Sequence, residues 1–223
     1  MTGAALALTE LLRVLDIKIT PETTLLLEQL VDELLRWNRS RNLTAITDRD
    51  EALEKHLVDS LTLLPFARQA TYLLDIGSGA GFPSLPLKIA CPALEVVSVD
   101  AVGKKIDFQR HVVRSLGLPG FTALHERVEA LVLQQKYRTG FDLVTARALC
   151  PLDELVALAE PLLAPGGRLV AMKGPEGHHE FSEQCALLQR EGWSANLHSL
   201  NLPVSGAERC LIELTCCLDK AAH

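Results

Sequence analysis

From Thr71 onward the chain alternates short apolar runs rich in β-branched residues with helical stretches, and this alternation restricts the fold more than any other feature. The strand candidates are "TYLLDI", "EVVSVD", "FTALHE", "FDLVTA" and "RLVAMK", followed by "SANLHSL" and "CLIELTC". Helical stretches at 82–90, 104–116, 128–135 and 152–163 separate the first five, and another spans 180–191. Strands joined through helices lie parallel, with helices on both faces of the sheet. The last two strands share only a short connection holding Pro203 and Gly206, which predicts an antiparallel hairpin at the end of the sheet. The expected fold is α/β, with a mostly parallel seven-stranded sheet.

The first 66 residues read as helical. In "TPETTLLLEQLVDELLRWN", Thr20 is placed as N-cap and Pro21 as the first helical residue, with Leu26, Leu27, Leu30, Leu34 and Trp37 at helical spacing. "DRDEALEKHLVDSLTLL" opens with Asp48 and Glu51 at capping-box spacing, and Leu53, Leu57, Leu61 and Leu64 follow on one face. The start, "MTGAALALTELLRVL", reads as a helix and not as a secretory signal, since it lacks a basic leader and carries Glu10 and Arg13. The expected organisation is a helical segment, 1–66, packed on a core, 67–223, as one compact unit.

With 223 residues, 48% hydrophobic and 22% charged, the chain has the composition of a soluble globular protein with one substantial core. No apolar run approaches the ~18 residues needed to span a bilayer. The net charge of -6 excludes gripping nucleic acid by bulk charge, so any such contact must come from a local basic patch. Cys91, Cys150, Cys185, Cys210, Cys216 and Cys217 show no metal-ligand spacing, and the expectation is buried free thiols in a reducing cytosol.

The stretch after the first strand, "DIGSGAGF", carries Gly77, Gly79 and Gly81. In a doubly wound sheet ligands sit at the carboxyl ends of strands, and glycine lets the backbone approach them closely. A phosphate-binding P-loop would need Lys-Ser or Lys-Thr after the glycines, where Phe82-Pro83 stands. A dinucleotide loop would place its third glycine one residue later, and Asp75 would repel a pyrophosphate. S-adenosylmethionine carries no phosphate; it has a sulfonium cation and an amino group, which an acidic glycine loop suits. Asp100, ending the second strand, stands where a carboxylate takes the ribose hydroxyls of a nucleoside. The plainer reading makes both aspartates turn formers and the glycines a tight turn. The ordered series of strand, acidic loop, helix, strand and terminal acid favours a methyltransferase.

The segment after the fourth strand, "FDLVTARALCPLDE", lacks the Asn/Asp-Pro-Pro-aromatic turn of adenine-amino enzymes. Cys150-Pro151 reverses the Pro-Cys order of cytosine-C5 enzymes, whose thiolate attacks the ring. Cys150 therefore reads as a small packing residue. With no evident nucleophile or general base, the acceptor that suits is a ring nitrogen with a free lone pair, such as guanine N7. Such an atom bears no proton to remove and needs chiefly to be held in line.

The segments "WNRSRNLTAITDRDEALEKHLVDSL", "DIGSGAGFPSLPLKIACP", "VDAVGKKIDF", "RVEAL", "TARAL" and "LVAMKG" make the resemblance specific. From Trp37 to "GAERCLIEL" the chain resembles the bacterial small-subunit ribosomal RNA guanine-N7 methyltransferases, the RsmG family or glucose-inhibited division protein B. The resemblance implies a Rossmann-like class I fold, S-adenosyl-L-methionine as cofactor, and methylation of 16S ribosomal RNA at guanine 527 in the usual RNA numbering. It also implies a cytoplasmic enzyme acting on the small ribosomal subunit, a monomer, with no metal and no membrane. Its cofactor contacts fall on Gly77, Phe82, Val128, Glu129 and Arg147, beside Asp75, Gly79, Gly81 and Asp100 of the acidic loop and second strand. Ser84, Ala101 and Thr145-Ala146 depart from common family residues without removing a named contact. Small-molecule methylation under a helical lid, and cofactor binding without catalysis, are the competing classes.

Arg36, Arg39, Arg41 and Arg49 cluster in an otherwise acidic chain. With the resemblance, Arg39, Arg41 and Asn42 are expected on an RNA-gripping edge; a solvated helix end is the alternative. Lys104 and Lys105 belong to the same surface or decorate a helix start. His56, Asp59 and Ser60 read as an inter-helix hydrogen-bond network rather than a catalytic group. Arg147 and Lys173, at the ends of the fourth and fifth strands, are the catalytic candidates, as donors to guanine O6 that leave N7 free.

Overall fold

The computed structural model describes residues 7–216; Met1–Leu6, which belong to the expected first helix, and residues 217–223, with Cys217, lie outside the described residues. Two helices open the chain, α1 (Leu8–Val14) and α2 (Pro21–Arg41). The local capping chemistry is as the sequence predicts: the Thr20 hydroxyl accepts from Thr23 N at 3.2 Å, and Pro21 starts α2. Asp48 likewise accepts from Glu51 N at 2.9 Å and starts α3 (Arg49–Ala52).

The next turns differ from a regular helix. Leu53–Val58 is π-helical and leads into α4 (Asp59–Leu61), then α5 (Leu64–Ala67). The extra residue per turn still leaves Leu53, Leu57, Leu61 and Leu64 buried. It brings Glu54, His56, Asp59 and Ser60 into buried positions as well, and π-turns of this kind recur at functional sites.

The remaining elements are β1 (Tyr72–Ile76), α6 (Ser84–Ala90), β2 (Glu95–Asp100), α7 (Gly103–Ser115), β3 (Phe121–His125), α8 (Val128–Val132), β4 (Phe141–Arg147), α9 (Leu152–Ala159), β5 (Leu163–Lys173), α10 (Gly177–Arg190), β6 (Trp193–Asn201) and β7 (Glu208–Cys216). The strand order is β3-β2-β1-β4-β5-β7-β6, with the first five parallel and β7 antiparallel to both neighbours. All seven strand candidates are present, in a Rossmann-like α/β sheet. β5 begins earlier than "RLVAMK" because Leu163 pairs with Phe141 before Pro165-Gly166-Gly167 interrupts the register.

The order of strands along the sheet runs outward in opposite directions from the boundary between β1 and β4, the position where such sheets bind ligands. Alternation along β1 sends Leu73 into one core with α1, α2, α6 and α7, and Leu74 and Ile76 into the other with α9 and α10. Among the cysteines whose side chains are described, Cys210 is buried and Cys91, Cys150 and Cys185 are partly exposed, so the expectation of buried thiols holds for one of these four; the side chain of Cys216 lies outside the described residues.

Asp75 shares the Leu73 side of β1 and is fully buried beneath the start of α6. Its Oδ2 accepts from Ser84 N at 3.2 Å, and its Oδ1 has no partner. Burial pushes its carboxyl up to about 7, against the lowering effect of Ser84. The folded chain thus binds a proton more tightly than the unfolded chain. Its stability contribution is complete below the ordinary carboxylate value and is lost as pH rises through about 7, by about 4 kcal/mol. Relative to Asp75→Asn, which cannot ionise, the parent should lose stability steadily between about pH 4 and pH 8 in denaturant titrations; a pH-independent difference would show that Asp75 does not titrate in this range.

Candidate active site

The glycine loop is held in place by side chains distant in sequence. Asp100 accepts from Gly79 N at 2.8 Å and from Val102 N at 2.7 Å, joining the loop to the end of β2. Buried Gln109 donates to Ser78 Oγ at 2.9 Å and Gly79 O at 2.8 Å, and accepts from Ser98 at 2.7 Å. Gln109 has no sequence signal beyond a polar residue on the apolar side of α7.

A cavity of about 220 Å³ opens at the carboxyl ends of β1 and β2. Of the residues singled out as cofactor contacts, Gly77, Asp100, Val128 and Glu129 line it, with Val99 and Leu149 beside them. Gly77 has φ +65°, which favours glycine, and a Cβ there would lie 2.5 Å from the Leu149 side chain, which would have to shift. Each Asp100 oxygen accepts one backbone N–H and keeps a lone pair for a further donor. A carboxylate, Asp100, beside the apolar walls of Val128 and Leu149 suits a nucleoside, which carries a diol and a flat base. The donor set therefore fits the adenosine part of S-adenosylmethionine.

Asp75, Gly79, Gly81, Phe82 and Arg147 do not line this cavity. Asp75 lies below the loop, and Gly79 acts through its bond to Asp100. Phe82 turns toward the helical segment, where His56 stacks on it at 4.8 Å between ring centroids and Arg147 lies 5.9 Å from its centre.

There a second cavity, of about 260 Å³, lies between the helical segment and the ends of β4, β5 and β7; His56, Asp59, Arg147, Lys173 and Arg209 line it. Asp59 is buried and accepts from Arg209 Nε at 2.9 Å, with Arg147 Nη1 3.5 Å from its other oxygen. Burial pushes the Asp59 carboxyl up, and the two guanidiniums pull against it. Arg147 also donates to Lys55 O at 3.2 Å. The His56 Nε2 and the Thr44 hydroxyl are 3.0 Å apart, so His56 and Asp59 each bond across elements, while Ser60 donates to His56 O at 2.5 Å within its own helical stretch. Burial, then Arg147, lowers the His56 value to about 3, which keeps the ring neutral at neutral pH and makes it a weak base. Arg209 is absent from the sequence-derived site; its only signal is one basic residue opening an apolar strand.

Lys173 joins the two cavities. Its Nζ donates to Cys150 O at 2.6 Å and pairs with Glu180 at 2.9 Å, and Cys150 lines the first cavity. Burial, then Glu154, pushes the Cys150 thiol up, away from the thiolate that covalent attack needs.

The arginine cluster separates into two pairs. Arg36 pairs with Glu33, and Arg49 with Asp32. Arg39 and Arg41 are exposed, with Arg41 over the Trp37 ring. Lys104 donates to Asn42 O at 3.0 Å, and Lys105 Nζ lies 3.9 Å from where a Gly79 Cβ would stand. A basic ridge therefore runs from the end of α2 to the glycine loop.

The fold is shared with solved structures of low identity. Cofactor-bound Rv0187 from MTB matches with a TM-score of 0.63 at 17% identity, covering 83% of this chain and 89% of that one. A methyltransferase from Geobacter sulfurreducens matches with a TM-score of 0.57 at 15% identity, covering 85% and 89%. In sequence, ribosomal RNA small subunit methyltransferase G of Syntrophotalea carbinolica is 54% identical over 185 residues, 82% of this chain and 85% of that protein. The protein of the same name from Myxococcus xanthus is 45% identical over 201 residues, 88% and 90% of the two chains. Residues 24–205 match the family described as GidB, rRNA small subunit methyltransferase G, and the chain belongs to that family.

Proposed function

We propose that the chain transfers a methyl group from S-adenosyl-L-methionine to N7 of a guanine in 16S ribosomal RNA, guanine 527 in the usual numbering. The reading rests on two cavities at the carboxyl ends of the strands, linked by the hydrogen bond from Lys173, which lines the second, to O of Cys150, which lines the first. The core, 67–223, supplies the cofactor cavity; the helical segment, 1–66, closes the acceptor cavity. The reading takes the chain as a monomer. The relatives named for ribosomal RNA support the small subunit as partner and the cytoplasm as location. No helix among the described residues is long and apolar enough to cross a membrane.

In the first cavity Asp100 takes the ribose hydroxyls, and Val128 and Glu129 flank the adenine. The bound cofactor supplies an electrophilic methyl group. Gly79 and Gly81 hold the loop's shape, Asp75 holds the start of α6, and Phe82 forms the partition toward the acceptor. Arg147 and Arg209 present N–H donors to the second cavity, which suits an acceptor-rich base edge such as guanine O6. N7 then attacks through its own lone pair, and the residues position and exclude water. Lys173 acts by fixing Cys150 and so the wall between the cavities.

Small subunits lacking the modification, incubated with the protein and methyl-labelled S-adenosylmethionine, should yield 7-methylguanosine at one site, located by strand scission. S-adenosylmethionine should also raise the melting temperature of the parent and not of Gly77→Val, in which a branched side chain at φ +65° collides with Leu149 at the cavity wall. Label on another base, or no transfer by protein that binds the cofactor, would overturn the assignment.

The basic ridge makes a separate prediction. Arg39→Ala with Arg41→Ala should weaken RNA binding and reduce the slope of log K against log salt by about 1.5–2, with cofactor affinity intact. An unchanged slope would return both arginines to the solvated surface.

A further inference from the structure

The helical segment and the β6–β7 hairpin are 150 residues apart in sequence, yet two carboxylates of one helical turn bind the hairpin. Asp59 holds Arg209. Glu54, one turn earlier in the π-helical stretch and only 3% exposed, accepts from Val204 N at 2.6 Å and Ser205 N at 2.9 Å through the same oxygen. Those amides sit in the loop closed by Gly206 N to Leu202 O at 3.0 Å and Leu202 N to Ala207 O at 2.9 Å. Arg209 follows in the first residues of β7 and reaches the acceptor cavity.

A buried carboxylate is a poor means of simple cohesion. An apolar side chain of similar volume often stabilises as well or better, because the carboxylate is costly to desolvate. What a carboxylate does that a leucine cannot is fix two consecutive N–H groups at a set distance from its own helix. The same stretch carries Lys55, His56 and Asp59, all of which line the acceptor cavity. The loop held by Glu54 and the cavity wall are therefore set by one rigid element.

We infer that Glu54 is a positioning residue for the acceptor: by clamping the Val204–Ser205 amides it sets the hairpin, and with it Arg209, at the depth at which the target base is received. This rests on the reading of the second cavity as the acceptor site. The cofactor cavity lies at the ends of β1 and β2 and shares no residue with the clamp, so Glu54 acts on the acceptor and not on the cofactor.

The test compares the parent with Glu54→Ala, Glu54→Gln and Glu54→Met in three measurements. These are hydrogen exchange at the Val204 and Ser205 amides, cofactor affinity by calorimetry, and KM and kcat for small subunits. Glu54→Ala should speed exchange at both amides and raise KM for subunits about tenfold, equivalent to about 1.4 kcal/mol of positioning. Cofactor affinity should stay unchanged. Glu54→Gln keeps an oxygen acceptor and should restore most of the KM. Glu54→Met fills the volume, keeps the fold where Glu54→Ala unfolds, and should still show the raised KM. Faster exchange with unchanged KM in Glu54→Met, or a parallel loss of cofactor affinity, would overturn the inference. A parent that binds cofactor and fails to methylate subunits would instead sink the acceptor reading itself.

Discussion

One buried carboxylate, Asp59, receives two guanidinium groups, from Arg147 at the end of β4 and Arg209 at the start of β7. The working face of the molecule depends on this junction. An ion placed out of water must be paired and hydrogen-bonded, or it shifts its protonation or its position. Here the pairing satisfies Asp59 and at the same time fixes the helical segment, the central parallel strands and the terminal antiparallel hairpin relative to one another. Each guanidinium spends only part of its donor set on Asp59; the remaining N–H groups stay available at the cavity. Charge that would otherwise be a stability cost thus becomes the frame of the proposed acceptor site.

The groups in these cavities with the chemistry for proton transfer or covalent attack are paired or shifted away from those roles. His56 stacks on Phe82 beside Arg147, and burial with that neighbouring charge keeps it neutral. Asp59 is occupied by two arginines, and the Cys150 thiol is pushed away from ionisation. What remains is rigid geometry: Phe82 as a partition, Lys173 bracing the wall through Cys150 O, and Asp100 tying the glycine loop to β2. Such a site suits the proposed attack by a ring nitrogen whose lone pair is already free, where alignment supplies the rate.

Local chemistry was legible in the sequence and distant chemistry was not. Thr20, Pro21 and Asp48 mark helix starts through bonds within three residues, and all seven strands follow from periodicity. That Gly77 and Asp100 line one cavity was legible because a loop after the first strand and an acid after the second meet in a doubly wound sheet. The sequence placed Asp75 at the cofactor, whereas the pleat of β1 turns it under α6. Gln109, Arg209 and Glu54 gave no usable signal, since their partners lie 30, 150 and 150 residues away. The π-helical stretch also reads as ordinary helix, because one extra residue per turn keeps the same leucines buried.

The central claim is that this face works by position rather than by proton transfer. It is tested most directly by single-turnover methyl transfer to small subunits, at saturating cofactor, as a function of pH. The account predicts a rate that stays level between about pH 6 and pH 8.5, because no side chain need gain or lose a proton during attack. A bell-shaped profile across that range, with one limb removed by substitution of His56 or Asp59, would contradict it and identify an essential acid or base in the acceptor cavity.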